Sequence, residues 1–168
     1  MTESSPSRRI VVGVTPRQPE LVLRTAARLA RALGAELVCA HVDSSAYVVE
    51  EHQDGSVTTR PLDPDLQDWT ASPFDASLAE RIERLGAAAG VAVRTCELAG
   101  DVARALGRLA EMVGAELIVV GTRSGIRAGV REYLGGSVAV HLAHRQPVPV
   151  VVVPLAPRAH GPLPWEEQ

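Results

Sequence analysis

Two rhythms of apolar and polar positions alternate along the chain. Nearly unbroken apolar runs stand at Arg9–Val14, Glu36–Val42, Val91–Leu98, Glu116–Val120 and Pro147–Pro154. Such runs predict strands covered on both faces, because a strand with one wet face alternates instead. Between them the period lengthens. Pro19–Leu33 sets Leu21, Leu23, Ala26, Ala27, Ala30 and Leu33 at helical spacing, with Arg24, Arg28 and Arg31 on another face. Asp75–Ala89 does the same with Leu78, Ile82 and Leu85. Gly34 and Gly90 follow these two helices, as a left-handed C-terminal residue commonly does. Two further helices are predicted, Asp101–Val113 with Asp101 as N-cap, and Ser137–Gln146. Strand-helix alternation of this kind predicts a parallel sheet with right-handed crossovers. The prolines around the last strand suit an edge position.

Residues 43–74 interrupt the rhythm. Ala46–Glu50 and Ser56–Thr59 flank Asp54-Gly55, a strong hairpin-turn signal, and a Pro- and Asp-rich stretch from Pro61 to Pro73 follows. We read an inserted hairpin after the second strand, at one edge of the sheet. It can act as a lid, as a contact surface, or simply as a cap on a strand.

Composition narrows the picture. At 168 residues the chain is long enough for one domain with a real core, expected over 8–155 with 1–7 and 156–168 as flexible tails. Its apolar residues are chiefly Ala, Val and Leu, and aromatics make up 3%, so helices can pack closely on the sheet. A formal charge of −3 gives no indication of a nucleic-acid partner. All 17 basic residues are arginine. Without lysine there is no P-loop lysine and no pyridoxal Schiff base. No apolar run reaches membrane-spanning length and the N-terminus lacks a signal-peptide core, so no membrane is expected and the expected location is cytoplasmic. Cys39 and Cys96 lie in separate strand-like runs and are expected to be buried free thiols.

The candidate chemistry concentrates between Leu117 and Val138. The apolar run breaks at Gly121 into a segment with glycines at 121, 125, 129, 135 and 136, and three arginines against one glutamate. A helix then opens at Gly136-Ser137. Glycine permits close backbone approach, and a helix start offers unpaired N–H groups, which together suit an anion such as phosphate. Gly-rich turns also occur for packing alone, and surface arginines commonly just solvate. In a doubly wound sheet ligands bind where the winding reverses. If the first and fourth strands are neighbours, this loop overhangs the crevice between Val14-Thr15 and Gly121-Thr122.

Other residues carry competing readings. Asp43 can reach a ribose hydroxyl or can satisfy its own turn. His141 and His144 have metal-compatible spacing but no visible third ligand, which leaves surface histidines as the plainer reading. Ser137 reads as an N-cap or phosphate contact, since no base marks it as a nucleophile. His41 is the one histidine placed to approach the crevice, with no orienting acid evident. No enzyme is expected.

With these residues set out, the chain resembles the universal stress protein family. The likeness covers about residues 8–155 and is most specific at Gly136-Ser137-Val138-Ala139, Leu142, Ala143, Pro149 and Val150–Val153. Ile10–Val14, His41-Val42, Gly100-Asp101 and Glu116–Gly121 fall at the family's strand ends and helix starts. The resemblance implies a doubly wound five-stranded parallel α/β sheet, order 3-2-1-4-5, with helices on both faces and, here, the added hairpin. It implies a homodimer through the last strand, Val150–Val153, a further unidentified protein partner, and ATP or AMP as ligand, with no metal beyond nucleotide-associated Mg²⁺. The implied contacts are Val14, Thr15, Val42, Gly121, Thr122, Arg123, Gly125, Arg127, Gly136, Ser137 and Val138. Nucleotide-binding members carry Gly, two residues, Gly, nine residues, then Gly and Ser or Thr. Here Gly121, Gly136 and Ser137 match. Ser124 replaces the middle glycine, Gly125 comes one residue late, and the loop is two residues longer. Thr15 stands where binding members have an aspartate. A regulatory protein whose degenerate pocket takes no nucleotide is the alternative.

Overall fold

A computed structural model describes residues 8–52, 57–61, 74–122 and 138–155. β1 (Arg8–Gly13) is the central strand. Its Ile10, Val11 and Val12 are completely buried, alternating between the two faces of the sheet. On one side β1 pairs in parallel with β2 (Ala35–Asp43), which pairs in turn with β5 (Val93–Ala99). On the other side it pairs with β6 (Ala115–Gly121), and β6 with β7 (Val150–Val153). The order β5-β2-β1-β6-β7 is 3-2-1-4-5 when only the strands of this sheet are numbered, as expected. The winding therefore reverses between β1 and β6.

Helices cover both faces. α1 (Leu21–Leu33) and α2 (Ala76–Ala89) pack on Ile10, Val12, Leu37, Cys39 and Val119. α3 (Val102–Val113) and α4 (Val138–Arg145) pack on Val11, Val38, Ala40, Ile118 and Val120. This second core includes Leu106 and Leu142, both fully buried. α1 ends at Gly34 with φ of 63°, a conformation in which a Cβ is strained. Asp75 and Asp101 cap α2 and α3, accepting from the N–H groups of Leu78 at 2.7 Å and Arg104 at 2.9 Å.

The insertion forms an antiparallel hairpin of β3 (Ala46–Glu51) and β4 (Val57–Pro61), with a bulge between Val48 and Glu50. It is a sheet of its own and packs beside the outer strand β5. Its turn at Asp54-Gly55 lies outside the described residues, as does 62–73.

Some boundaries differ from expectation. α1 starts at Leu21, after the Thr15–Gln18 turn. β5 starts at Val93, because the Val91 N–H is drawn back to the Gly86 carbonyl and closes the α2 terminus. The last strand is shortened to Val150–Val153. Before it, the Gln146 carboxamide both accepts from the Val148 N–H and donates to its carbonyl, each at 2.7 Å. These bonds hold the approach to β7 in a side-chain turn instead of a ladder. Cys39 is buried, and its thiol pKa is pushed up to about 12 by burial. Cys96, expected to be buried, is only partly so, because it sits on the outer strand. Among the described residues no helix is long and apolar enough to cross a membrane.

Candidate functional site

Where β1, β2 and β6 end, a crevice of about 360 Å³ opens at the reversal of the winding. That volume lies within the ~300–1,000 Å³ common for small-molecule clefts. Its walls come from three parts of the chain that parallel pairing sets side by side. Gly13, Val14 and Thr15 lead out of β1, Ala40 and Val42 come from β2, and Val120, Gly121 and Thr122 come from β6. Val102 and Leu106 of α3 and Val138 of α4 close one flank, and Leu155 closes another.

Small residues make the space. A Cβ on Gly121 would lie 2.8 Å from Gln18 Nε2 and 2.9 Å from both Leu155 Cδ1 and Val22 Cγ2. The ends of Gln18 and Leu155 can move, but Val22 is fully buried, so the crowding at Gly121 is steric and independent of φ. A Cβ on Gly13 would stand 3.0 Å from Leu106 Cδ1. The β1 and β6 termini therefore lie close against neighbouring side chains, Leu106 of α3 beside Gly13 and Val22 of α1 beside Gly121.

The polar groups of the mouth are partly committed. The Val14 N–H donates to the Ala40 carbonyl at 2.9 Å. The Thr15 N–H donates to Gln18 Oε1 at 3.1 Å, and the Gln18 N–H returns to the Thr15 carbonyl. Across the crevice the Thr122 N–H donates to the Val153 carbonyl at 2.9 Å, and its Oγ1 accepts from the Leu155 N–H at 2.8 Å. Among the described residues no bond takes up the Thr122 hydroxyl proton. Arg17 is exposed at the rim and makes no ion pair among the described residues. No described lining residue carries a carboxylate. Among the described residues the crevice thus combines an apolar floor with neutral polar groups and one cation, Arg17, a surface suited to a ring bearing an anion.

Six expected contacts line this space together: Val14, Thr15, Val42, Gly121, Thr122 and Val138. Arg123, Gly125, Arg127, Gly136 and Ser137 lie outside the described residues. Gly13, Arg17, Gln18, Val102, Leu106 and Leu155 were not anticipated. Gly13 and Val102 had a signal, since each stands at a strand end or helix start. Leu155 had none, because its place depends on how β7 pairs.

The competing readings also resolve in part. Asp43 Oδ1 accepts from the Ser45 N–H at 2.8 Å and the Ser45 hydroxyl at 2.6 Å, and Asp43 does not line the crevice. It serves its own turn. His41 does have an acid beside it: β2 and β5 place it directly across from Glu97, with Nδ1 2.7 Å from Oε1. The pair belongs to the α2 side of the sheet, outside the crevice lining. The Glu97 hydrogen bond raises the His41 pKa above its ordinary value, partial burial opposes this, and the charges of Glu97, Asp43 and Asp75 add to it. Among the described residues no group of three His, Cys, Asp or Glu side chains is arranged to hold a metal ion.

The comparisons with known proteins follow the same lines. The universal stress protein family model matches residues 6–154. Among solved structures, a universal stress protein in complex with cAMP is 23% identical with a TM-score of 0.60, covering 90% of this chain and 100% of that one. The universal stress protein from Archaeoglobus fulgidus in complex with dAMP is 21% identical with a TM-score of 0.56, covering 89% and 99%. A family protein from Arabidopsis thaliana with AMP bound is 15% identical with a TM-score of 0.51, covering 89% and 92%. Among curated protein sequences, none matches. With the family model spanning nearly the whole chain and the same fold throughout these structures, the chain belongs to the universal stress protein family.

Proposed function

We propose that the chain is a non-catalytic, cytoplasmic adenine-nucleotide-binding module, one domain over 8–155, that acts in the stress response as a homodimer paired through Val150–Val153. The observation that carries this reading is the crevice at the β1/β6 reversal, where six sequence-selected residues converge. Three structural neighbours with related folds hold cAMP, dAMP or AMP.

In this reading the aliphatic floor of Val14, Ala40 and Val42 packs against the base, and Thr122 donates to a polar edge. Arg17 supports negative charge at the rim. Arg123, Arg127 and the helix start at Gly136-Ser137 receive the phosphates, because arginine pairs with them bidentately and a helix start favours anions. ATP or AMP is the ligand, with Mg²⁺ only as a companion of the phosphates. Occupancy alters the surface around the loop, which a protein partner reads.

One observation favours the second reading, an interaction protein whose pocket takes no nucleotide. Thr15 replaces the aspartate of binding members, and the described lining offers no other carboxylate to a ribose. A lost hydrogen bond of that type costs on the order of 1–3 kcal/mol. Thermal unfolding with ATP, AMP, cAMP and buffer separates the two. A ligand at a hundred times its Kd adds about 2.7 kcal/mol to stability. The proposal requires a clear upward shift that disappears in Arg127→Ala and Ser137→Ala; a flat response at millimolar nucleotide overturns it.

A further inference from the structure

The turn that leads from β1 into α1 is held from several sides. Its own closure is reciprocal: the Thr15 N–H donates to Gln18 Oε1 at 3.1 Å, and the Gln18 N–H donates to the Thr15 carbonyl at 3.1 Å. From α2, Arg81 Nη2 donates to the Pro16 carbonyl at 3.2 Å. Just before α1, Glu20 meets Arg24 at 2.9 Å and Arg84 at 3.8 Å. The Thr15 bond settles which way the Gln18 carboxamide faces, because a backbone N–H can meet only its oxygen. The NH2 group therefore stands on the other side, against the end of β6. There Nε2 lies 2.8 Å from the point that a Cβ on Gly121 would occupy. It meets no acceptor among the described residues. Closing the turn calls only for an acceptor, which Asp, Asn or Ser supplies as well. The donor half of the carboxamide has no use in the turn.

We propose that Gln18 contacts the ligand of the crevice, its Nε2 donating to the phosphate attached directly to the sugar of a nucleotide. This contact rests on the adenine-nucleotide site proposed above and adds to it a residue and a role. Position selects that phosphate. Val14 of the β1 exit and Ala40 and Val42 of β2 form the floor proposed for the base, whereas Gly121 opens the loop proposed for the phosphates. Gln18 springs from the β1 side and ends beside Gly121, so its NH2 group lies between the two. Charge agrees with position. No described lining residue carries a carboxylate, and Arg17 and the Thr122 hydroxyl also bring hydrogens to the mouth. Such a lining asks for an acceptor bearing negative charge, and a hydrogen bond to a charged acceptor is stronger than one between neutral groups. Gln18 is half-buried and already bonded to Thr15, so it has little side-chain freedom left to lose when a ligand arrives. Gly121, by lacking a Cβ, leaves Nε2 its place.

Gln18→Glu in the full-length protein separates the two halves of the side chain. A carboxylate still accepts from the Thr15 N–H, but it offers no donor and sets a negative charge beside the phosphate. Titration with AMP should show affinity lowered by about tenfold or more, while affinity for adenosine, which has no phosphate, falls much less. Melting without ligand should match the parent, because the turn keeps its bond. In the parent protein the Gln18 side-chain NH2 resonances, identified by their loss in Gln18→Glu, should shift when AMP is added and stay in place with adenosine. That second readout decides the matter if the variant fails to fold. A Gln18→Glu protein that binds AMP as the parent does overturns the contact and leaves the nucleotide site standing, since Gln18 then serves only its turn. Equal losses for AMP and adenosine, or NH2 resonances indifferent to bound AMP, overturn it in the same way. A parent protein that binds no nucleotide removes the site and the contact together.

Discussion

The two ends of the central sheet are built from the same strands yet treat their polar groups oppositely. At the amino end Arg9 donates to the Val113 carbonyl at 2.9 Å and lies 3.5 Å from Glu36. Arg8 reaches Glu116 at 3.8 Å and the Leu33 carbonyl at 3.4 Å. The charges there close upon the chain itself. At the carboxyl end, by contrast, no residue lining the crevice forms an ion pair, and the Thr122 hydroxyl proton meets no acceptor, among the described residues. Since both ends rest on the same fully buried Ile10–Val12 interior, stability does not explain the difference. Exposed ion pairs contribute only ~0–1 kcal/mol, so the pairing at the amino end adds little to stability, and the carboxyl end is where the proposed nucleotide would sit.

The most damaging way to break this contrast is to remove the support beneath the crevice. Leu106→Ala deletes a completely buried side chain that packs against Gly13, and should cost about 2–5 kcal/mol. Chemical denaturation should show the loss, and any nucleotide-induced thermal shift should shrink with it. Gly121→Ala tests the carboxyl end alone. Gln18 and Leu155 can swing their ends aside, but Val22 is β-branched and fully buried, so backbone must move. A destabilisation of about 1–3 kcal/mol is expected, with nucleotide response lost out of proportion to it. Arg9→Ala is the counterpart at the amino end. It should cost no more than about 1 kcal/mol and leave the nucleotide response unchanged. If Arg9→Ala abolished that response, the division between the ends would fail.

The smallest effect sharpens the contrast through pH. His41 has a folded pKa raised chiefly by its Glu97 hydrogen bond, with burial opposing. Its stabilising contribution is therefore complete below the unfolded value of about 6.5 and fades as pH rises through the folded value. The urea midpoint should fall across that interval in the parent protein, and the part due to this pair should vanish in His41→Gln. Nucleotide affinity should not follow the same curve, because the pair lies outside the crevice lining.

Much of this architecture was legible in the residues. Ile10–Val12 and Leu117–Val120 read as buried strands because a strand covered on both faces needs apolar residues at successive positions. Asp101 read as a cap because a carboxylate can satisfy helix-end N–H groups locally, whereas Asp75, read as the first helical residue, proved to be the cap of α2. The crevice was partly legible as well, since strand ends flanking a reversal mark it, and the glycine at 121 indicated a close approach. What escaped was the identity of partners distant in sequence. Glu97 beside His41 is 56 residues away, and the Leu155 N–H on Thr122 is 33 residues away.

Helix periods, caps and strand runs depend on neighbours within a few positions, so the amino-acid order alone determined the elements, their alternation and the class of sheet. Register and packing depend on which strand lies beside which after a helical crossover, and a single strand carries no record of that. Only the tertiary structure therefore decided that Asp43 serves its own turn and that Gln18 and Leu155 crowd Gly121.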